Sequence, residues 1–450
     1  MYPHARAGRT MNRSTCLDSP RVENDSISRR LTSSAGPRFG LLGPYGAGNL
    51  GDAAIQDAVI GLIRSARPDA QFVAICPHSA DAQARHGIDA LPLTPAAATP
   101  SPPAWLRWLL DHPSRRLTRR LVRRLAWELH RSGRALRFLV ETWRRLKRVD
   151  VLVISGGGQI DDFWGGPWSH PFSLALWTSL ARLRGCPVIA LSLGGTQLRH
   201  RLSRVFVRHA LSLAQSRSFR DPSTRAFVAT LGLPERDPVM PDLAFACPRP
   251  PRPNHRPTPP VLGICPIAAD AWTHPDDPAA ARLLDRLEAL ARDRLEHGWS
   301  INLFASQVVA DRPVVEQLAR RLTTSPHRGR LVRLRTSPVA SVADFLNAAA
   351  SVDLLVAARM HAVLLSFVAA TPAIAICYDP KVRSLMSQVG LLPYALDLAE
   401  ADAPRLAQAV DAAFAQRRQL AAQIESQVDA FRNQLSDHIA ADVLPAVLPG

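Results

Sequence analysis

Long uncharged apolar runs are missing from this sequence of 450 residues. The nearest approach lies between Ala362 and Cys377, where Thr371-Pro372 divides the run in two. A helix that spans a bilayer needs about 20 apolar residues, so we expect no transmembrane segment. Residues 1–36 are rich in Ser, Arg and Asn and contain no apolar stretch. This composition argues against a secretory signal peptide and predicts a disordered leader.

No two cysteines are spaced as a CxxC pair. Such pairs commonly supply the ligands of structural zinc, and a dense, even set of cysteines would indicate a disulfide framework. The six cysteines are instead far apart, and most lie in apolar runs: Cys16, Cys76, Cys186, Cys247, Cys265 and Cys377. We therefore expect buried free thiols in a reducing cytoplasm, with no disulfide and no metal site.

Acidic residues are also scarce, since 38 Asp and Glu stand against 55 Lys and Arg. Much of the net charge of +17 falls within residues 104–148, where Leu and Trp recur among the arginines at helical spacing. This basic amphipathic pattern predicts a helix lying on an anionic membrane surface. The alternative is a solvated basic face on a helix docked to its own domain. Nucleic acid is not an expected partner, because only 6% of residues are aromatic and no recognition motif accompanies the charge.

What the sequence does contain is a repeated alternation of apolar strand-like runs with helix-period segments. Continuous apolar strands separated by helices are typical of a parallel sheet buried on both faces. The proline-rich stretch 247–260 interrupts this pattern, because proline removes hydrogen-bond donors and fixes φ. The pattern thus predicts two doubly wound, Rossmann-like α/β domains, at residues 37–246 and 261–450. One long helix, over about 403–439, is expected to close the second domain.

Ligands of such folds usually bind at the carboxyl ends of the strands, and two glycine-rich turns follow predicted strands. The first, "GPYGAGNLGD", precedes a helix predicted from about Asp52 to Ala66, and its glycines would let the backbone approach a ligand. The alternative is a tight turn in which Asp52 caps the helix. The candidate binding residues of this turn are Gly46, Gly48, Asn49 and Asp52.

The second turn, "ISGGGQIDDFWGGPW", follows another buried strand. Its glycines, Gly156, Gly157 and Gly158, would make room for a ligand or for the facing domain. Asp161 and Asp162 are candidates to bind sugar hydroxyls, and Trp164 or Trp168 to stack on a sugar ring. Adjacent carboxylates on an extended chain point apart, so we read no metal site here.

Cations follow three further predicted strands. Arg220 comes after a short strand, Arg359 and His361 interrupt an apolar run, and Lys381 follows the next strand. Arg suits bidentate recognition of phosphate or carboxylate, and His is a common general acid or base. Convergence of these groups on one cleft would make an anion site. The structural alternative is a capped helix with a satisfied core histidine.

Taken in order, the motifs resemble those of the polysaccharide pyruvyl transferases. The resemblance rests on "GPYGAGNLGDAAI", "VISGGG", "SFRDPST" and "LLVAARMHAVLLSFVAATPAIAICYDPKV". It implies a two-domain fold similar to GT-B glycosyltransferases, phosphoenolpyruvate as co-substrate with no other cofactor, and a sugar acceptor that receives a pyruvate ketal. By the family pattern, Arg359 and His361 are the catalytic pair. Arg220, Arg359 and Lys381 are the donor-binding cations.

The function implied is a cytoplasmic transferase that acts on a glycan or lipid-linked sugar, peripheral to the inner face of the membrane, in cell-envelope polysaccharide biosynthesis. Two other readings stay open. A nucleotide-sugar-dependent GT-B glycosyltransferase would need an acidic residue for the ribose, for which Asp379 is the candidate. A non-catalytic membrane-associated scaffold would use the basic segment alone.

Overall fold

The fold is taken from a computed structural model, and the residues that it describes are 36–46, 48–94, 135–163, 165–195, 197–251, 259–268, 278–323 and 333–448. The predicted leader, most of the basic insertion and the middle of the proline-rich linker lie outside the described residues. Within the described residues, no helix is long and apolar enough to cross a membrane.

The first half of the chain forms a six-stranded parallel sheet in the order β3-β2-β1-β4-β5-β6. The strands are β1 (Arg38–Leu42), β2 (Gln71–Cys76), β3 (Asp89–Pro92), β4 (Val151–Ser155), β5 (Val188–Leu193) and β6 (Ser216–Phe219). In register, Leu41 of β1 lies beside Ala74 of β2 and Val153 of β4. Every residue of β4 is buried, as expected of a central parallel strand covered on both faces.

The second half repeats this topology. Its strands are β7 (Val261–Cys265), β8 (Ser300–Leu303), β9 (Leu334–Thr336), β10 (Leu354–Ala357), β11 (Ala373–Cys377) and β12 (Ala395–Asp397). The order is β12-β11-β10-β7-β8-β9, which is the arrangement of the first sheet read from the opposite edge. In each sheet the strand order reverses between the first and fourth strands, and a crevice opens at that point. The prediction of a doubly wound α/β fold with two Rossmann-like sheets is confirmed.

Helices connect the strands and cover the sheets. Those of the first half are α1 (Leu50–Ala66), α2 (Ser79–His86), α3 (135–145), α4 (His170–Leu183), α5 (Arg201–Ser212) and α6 (Pro222–Ala229). Those of the second half are α7 (Pro278–Glu296), α8 (Arg312–Thr323), α9 (Val342–Ala350), α10 (Met360–Val368), α11 (Pro380–Gln388), α12 (Ala403–Ala415), α13 (Arg417–Asp437) and α14 (Leu444–Val447). Short 3-10 turns occupy Leu146–Arg148, Leu243–Ala246 and Leu392–Tyr394, and a π-helical turn occupies His438–Val443.

The prediction of one long terminal helix is wrong, because the chain turns at Gln416 between α12 and α13. This turn sends α13 back onto the first half of the chain. There Arg432 donates to the carbonyl oxygens of Phe245 (3.0 Å) and Cys247 (2.5 Å), and the rings of Phe245 and Phe431 pack with centroids 4.9 Å apart. The C-terminal helix therefore ties the two halves together, which sequence periodicity alone does not reveal.

Replacement of Arg432 tests this tie. Arg432→Ala should lower the free energy of unfolding by about 1–3 kcal/mol, because two carbonyl groups lose their donor. Arg418 is exposed on the same helix, so Arg418→Ala should change stability by less than about 0.5 kcal/mol. Urea denaturation followed by circular dichroism measures both variants, and equal effects would contradict the assignment.

Candidate active site

The carboxyl edges of the two sheets meet at their switch points. The loop after β1 contacts the loop after β8 through two backbone hydrogen bonds, from Leu50 N to the Ser306 oxygen (3.1 Å) and from Val308 N to the Gly48 oxygen (2.8 Å). Gly46 and Gly48 have φ of 100° and 72°, a backbone conformation that side chains with a Cβ rarely adopt. Gly48 therefore shapes a contact between the halves, whereas Gly46 makes room for His78 of the first half. The site lies beside this contact.

Helix α1 begins two residues earlier than the sequence predicts. Asn49 is its N-cap, since its Oδ1 accepts from Gly51 N (3.0 Å) while its Nδ2 donates to Asp52 Oδ2 (2.7 Å). The alternative in which Asp52 caps the helix is therefore wrong. Asp52 lies instead in the first turn. A Cβ added to Gly51 would come within 2.1 Å of Nδ1 of His361, so a glycine is needed where α1 approaches that imidazole.

The triple-glycine turn after β4 has two separate roles. Gly156 and Gly157 have positive φ, and a Cβ on Gly156 would lie 2.8 Å from side-chain atoms of Ile55 and Leu243. These two glycines allow helix α1 to pack against the turn. Gly158 is exposed, and its Cβ position has no described atom within 4 Å. Of the three candidate binding glycines, Gly158 is the one that leaves space at the surface.

The neighbouring carboxylates, Asp161 and Asp162, are used differently. Asp162 is buried, and its two oxygens accept from the backbone N–H groups of Arg199 (3.0 Å) and His200 (2.9 Å). This carboxylate is therefore committed to the fold, which corrects its expected role in sugar binding. Burial raises the pKa of Asp161, and the nearby positive charge of Lys381 opposes that increase. Trp164 lies outside the described residues.

A cluster of charged side chains joins both halves through Asp242, which precedes the 3-10 turn Leu243–Ala246. Oδ2 of Asp242 accepts from Arg220 Nη1 at 3.1 Å and lies 3.8 Å from Nε2 of His361. The second distance is that of an ion pair and is too long for a hydrogen bond. Burial alone would raise the pKa of Asp242, but His361, Arg220 and the Ala244 N–H together hold it well below its usual range.

Arg220 is held firmly in this cluster. Its Nε also lies 3.7 Å from Asp221 Oδ2, and a Cβ on Gly194 would come within 2.5 Å of its guanidinium carbon. Arg220 is only 8% exposed, so its guanidinium group lies at the buried end of the site. Asp221 in turn caps α6, where its Oδ1 accepts from Thr224 N at 2.7 Å.

Arg359 pairs with a carboxylate that the sequence did not identify. Its Nε and Nη2 form a bidentate pair with Asp311, at 2.6 and 2.7 Å, and Asp311 is completely buried. Asp311 also accepts from Ala268 N at 3.0 Å. The planar fork of Arg359 is thus engaged by protein rather than pointed at a ligand. Arg359 is the N-cap residue of α10, so the pair fixes the point at which that helix begins and His361 is presented.

Lys381 enters the site from the first turn of α11. Its ammonium lies 3.2 Å from Asp379 Oδ2 and 5.8 Å from the ring centroid of Tyr378. Asp379 is the N-cap of α11, where its Oδ1 accepts from Lys381 N at 2.9 Å. Asp379, the candidate ribose ligand, is therefore already engaged as a cap and an ion-pair partner.

Asp52 is the second carboxyl group of the cluster. Burial raises its pKa to about 6; the charge of His361 opposes this increase, and the charge of Asp242 adds to it. A carboxyl group with this pKa exchanges protons near neutral pH.

Among the described residues, no group of three or more His, Cys, Asp and Glu is placed to hold a metal ion.

The sequence reasoning missed Asp242 and Asp311, the two buried partners of the cations. Each had a signal. Asp242 interrupts the apolar stretch "PVMPDLAFAC", and buried carboxylates are rare unless they are paired. Asp311 precedes "RP", which is typical of a helix N-cap followed by proline in the first turn. Neither signal identifies the cation that each carboxylate binds.

A family model for polysaccharide pyruvyl transferases matches residues 49–380. The chain belongs to the polysaccharide pyruvyl transferase family. The matched region contains Asn49, Asp52, the triple-glycine turn, Arg220, Arg359 and His361, and it ends one residue before Lys381. A search of curated proteins finds no match to this chain.

Solved structures similar to this family member support the fold. They include a UDP-GlcNAc 2-epimerase from Methanocaldococcus jannaschii (TM-score 0.52, 9% identity, 83% of this chain and 92% of that one). A second epimerase, from Neisseria meningitidis with UDP-GlcNAc bound, has a TM-score of 0.54 at 9% identity over 90% and 98% of the two chains. A glycosyltransferase from Rickettsia africae has a TM-score of 0.53 at 10% identity over 92% and 99%. The similarity to GT-B glycosyltransferases that the motifs imply is thus found in the fold.

Removal of the buried carboxylate that pairs with Arg359 should destabilise the fold. Asp311→Asn is expected to lower the free energy of unfolding by about 3 kcal/mol, because it leaves a largely buried guanidinium without its counter-charge. Asp285→Asn makes the same change in an exposed ion pair with Arg321, and should cost less than about 1 kcal/mol. Urea denaturation of the two variants compares them. A loss below 1 kcal/mol for Asp311→Asn would contradict the role assigned to the pair.

The raised pKa of Asp52 has a consequence for stability. Between the ordinary value of 3.8 and about 6, the folded protein binds more protons at Asp52 than the unfolded chain, so stability falls as pH rises through this window. Asp52→Asn removes this dependence. Relative to wild type, the variant should gain about 1 kcal/mol between pH 5 and pH 8. Urea denaturation at both pH values measures the gain, and a constant difference would show that the pKa of Asp52 is not raised.

Proposed function

We propose that the protein transfers the pyruvyl group of phosphoenolpyruvate to two hydroxyls of a sugar, as a ketal, and releases phosphate. The observation that carries the proposal is the Arg220–Asp242–His361 cluster with Asp52 beside it, in a chain of the pyruvyl transferase family. The cluster offers a proton donor, a proton acceptor and a fixed cation at the carboxyl edge where ligands of this fold bind.

Phosphoenolpyruvate presents two anionic groups, which the first turn of α10, Arg220 and Lys381 are proposed to bind. Helix α10 begins at the site, and the side chain of its N-cap residue, Arg359, does not bond the first-turn N–H groups. An unoccupied helix N-terminus binds phosphate or carboxylate well. Arg220 and Lys381 are proposed to add positive charge to this donor site. Arg359 supports the donor site by fixing the start of α10, with its fork engaged by Asp311.

The first chemical step adds one sugar hydroxyl across the vinyl bond. His361, as imidazolium, gives its proton to the terminal vinyl carbon while the sugar oxygen bonds to the central carbon. Oδ2 of the ionised Asp242 lies 3.8 Å from Nε2 of His361 and offers a counter-charge to the imidazolium. Asp52 accepts the proton that the sugar hydroxyl loses, a role that a carboxylate with pKa of about 6 can fill.

The second step exchanges phosphate for the other hydroxyl. The bond from the central carbon to the phosphate oxygen breaks, and inorganic phosphate leaves with the bonding electrons and with a proton. The proton that leaves with phosphate comes from Asp52, which was protonated in the first step. The second sugar hydroxyl bonds to the same carbon and loses its proton to His361, which closes the ketal ring and restores both groups. The fixed charges of Arg220 and Lys381 stabilise the departing phosphate without reorganisation. Phosphoenolpyruvate is the co-substrate, and the proposed reaction requires no further cofactor.

The acceptor is proposed to be a glycan or a lipid-linked sugar in cell-envelope polysaccharide biosynthesis, modified in the cytoplasm. The space beside Gly158 and the carboxyl group of Asp161 border the first-half side of the site, where such an acceptor would enter.

Product analysis tests the proposal. The full-length protein is incubated with phosphoenolpyruvate and a panel of glycans and lipid-linked sugars, and phosphate release is followed with mass spectrometry of the acceptor. The expected product is heavier by one pyruvate less one water. His361→Ala should lower the rate by about 10²–10⁴-fold, while His297→Ala, at an exposed histidine, should leave it unchanged. Phosphate release without an acceptor product, or full activity of His361→Ala, would overturn the proposal.

A further inference from the structure

The net charge of this protein is concentrated in one part of the chain. Residues 95–220 contain 22 Lys and Arg against six Asp and Glu, which supplies 16 of the 17 net positive charges. The stretch from Phe163 to Arg220 contains no Asp or Glu at all. The structure describes nearly all of this stretch and places α4 and α5 within it. Any surface formed there carries positive charge that no acidic neighbour on these helices neutralises.

Helix α5 has two surface stripes of different chemistry. Its buried face consists of Ser203, Val207, Ala210 and Leu211, which pack toward the first sheet. Away from that face, Leu202 and Val205 are 37% and 58% exposed. The remaining surface carries the exposed arginines Arg201, Arg204 and Arg208. A water-facing helix ordinarily shows one apolar face, turned inward. The second apolar stripe faces outward, and its side chains Leu202 and Val205 are exposed.

Aromatic residues extend the apolar stripe beyond the helix. Trp168 precedes α4 and is 67% exposed. Its ring packs against Phe172 and Phe206 with centroids 5.4 and 5.5 Å away. Trp168, Leu202, Val205 and the partly buried Phe206 thus form one patch bordered by arginines. We call this patch, with Arg201, Arg204 and Arg208, the α5 surface.

The α5 surface lies at the same edge of the sheet as the candidate active site. Both α4 and α5 follow strands, so their first turns lie at the carboxyl edge of the parallel sheet. Asp162 fixes the arrangement, because it accepts hydrogen bonds from the backbone of Arg199 and His200 at the approach to α5. The loop that contains Trp168 leads on from Asp162. A partner bound to the α5 surface would therefore rest beside the mouth of the site.

We propose that the α5 surface docks this protein on an anionic phospholipid bilayer. Exposed Trp, Leu and Val side chains fit the boundary between headgroups and acyl chains, and flanking arginines fit anionic headgroups. A nucleic acid would use the charge but offers no apolar layer for Leu202 and Val205. Docking in this orientation brings the site to the membrane surface. The inference is independent of the donor used, because it rests on the outer surface alone.

Vesicle co-sedimentation of the full-length protein tests the proposal. Wild type is expected to bind vesicles of phosphatidylcholine with phosphatidylglycerol, and to bind pure phosphatidylcholine vesicles much more weakly. The triple variant Trp168→Ser, Leu202→Ser and Val205→Ser should lose at least about tenfold in partitioning. Arg201→Gln with Arg208→Gln should lose about tenfold as well, and that loss should shrink in high salt.

Matched controls come from the second half of the chain. Arg320→Gln with Arg418→Gln removes the same charge from exposed helix positions, and Leu392→Ser removes an exposed apolar side chain. These variants should bind vesicles as wild type does. Circular dichroism melting of every variant verifies that it is folded.

Three results would overturn the proposal. Wild type failing to bind the anionic vesicles would exclude the bilayer as partner. Unchanged binding by the folded α5-surface variants would assign the binding to another segment, such as the basic residues 104–134. Tighter binding of a DNA duplex than of anionic vesicles, lost in the same arginine variant, would identify nucleic acid as the partner.

Discussion

The contact of His361 with Asp242 is the interaction on which the site depends, because it joins the two halves of the molecule. His361 comes from the second half, and Asp242 and its other partner, Arg220, come from the first. Asp242 is almost completely buried, and its carboxylate accepts hydrogen bonds from Arg220 and from the backbone N–H of Ala244, which offset the cost of burying its charge. The cluster therefore exists only where the two halves are packed together. Gly51 and the packing of α13 against Phe245 contribute to that arrangement.

Two copies of one topology explain why these groups meet. Each sheet has a switch point between its first and fourth strands, and the residues that follow β1, β4 and β10 all exit there. Facing the two carboxyl edges toward each other brings two helix N-termini, from α1 and α10, to one place. The helix dipoles and the backbone N–H groups of the first turns attract anions to this place, independently of the side chains. The side chains of Arg220, Lys381 and His361 add to the attraction for anions that the backbone already provides.

The sequence predicts the edges of the sheets well, and the pairing of side chains poorly. Continuous apolar strands and glycine turns locate the loops after β1 and β4, because backbone geometry dictates those residue types. The partner of Arg359 is a different matter, since several carboxylates could satisfy one guanidinium and only the three-dimensional fold selects Asp311. Asp162 shows the same limit: next to glycines and tryptophans it resembles a sugar ligand, yet it bonds the backbone 37 residues away. The return of α13 depends on long-range packing, which periodicity does not encode.

The proposed chemistry requires that the paired switch points bind phosphoenolpyruvate. Isothermal titration calorimetry on wild type, with phosphoenolpyruvate and with UDP-GlcNAc in separate experiments, measures this binding. We expect saturable, salt-sensitive binding of phosphoenolpyruvate at one site per chain and no saturable heat from the nucleotide sugar. Saturable binding of the nucleotide sugar with none of phosphoenolpyruvate would contradict it.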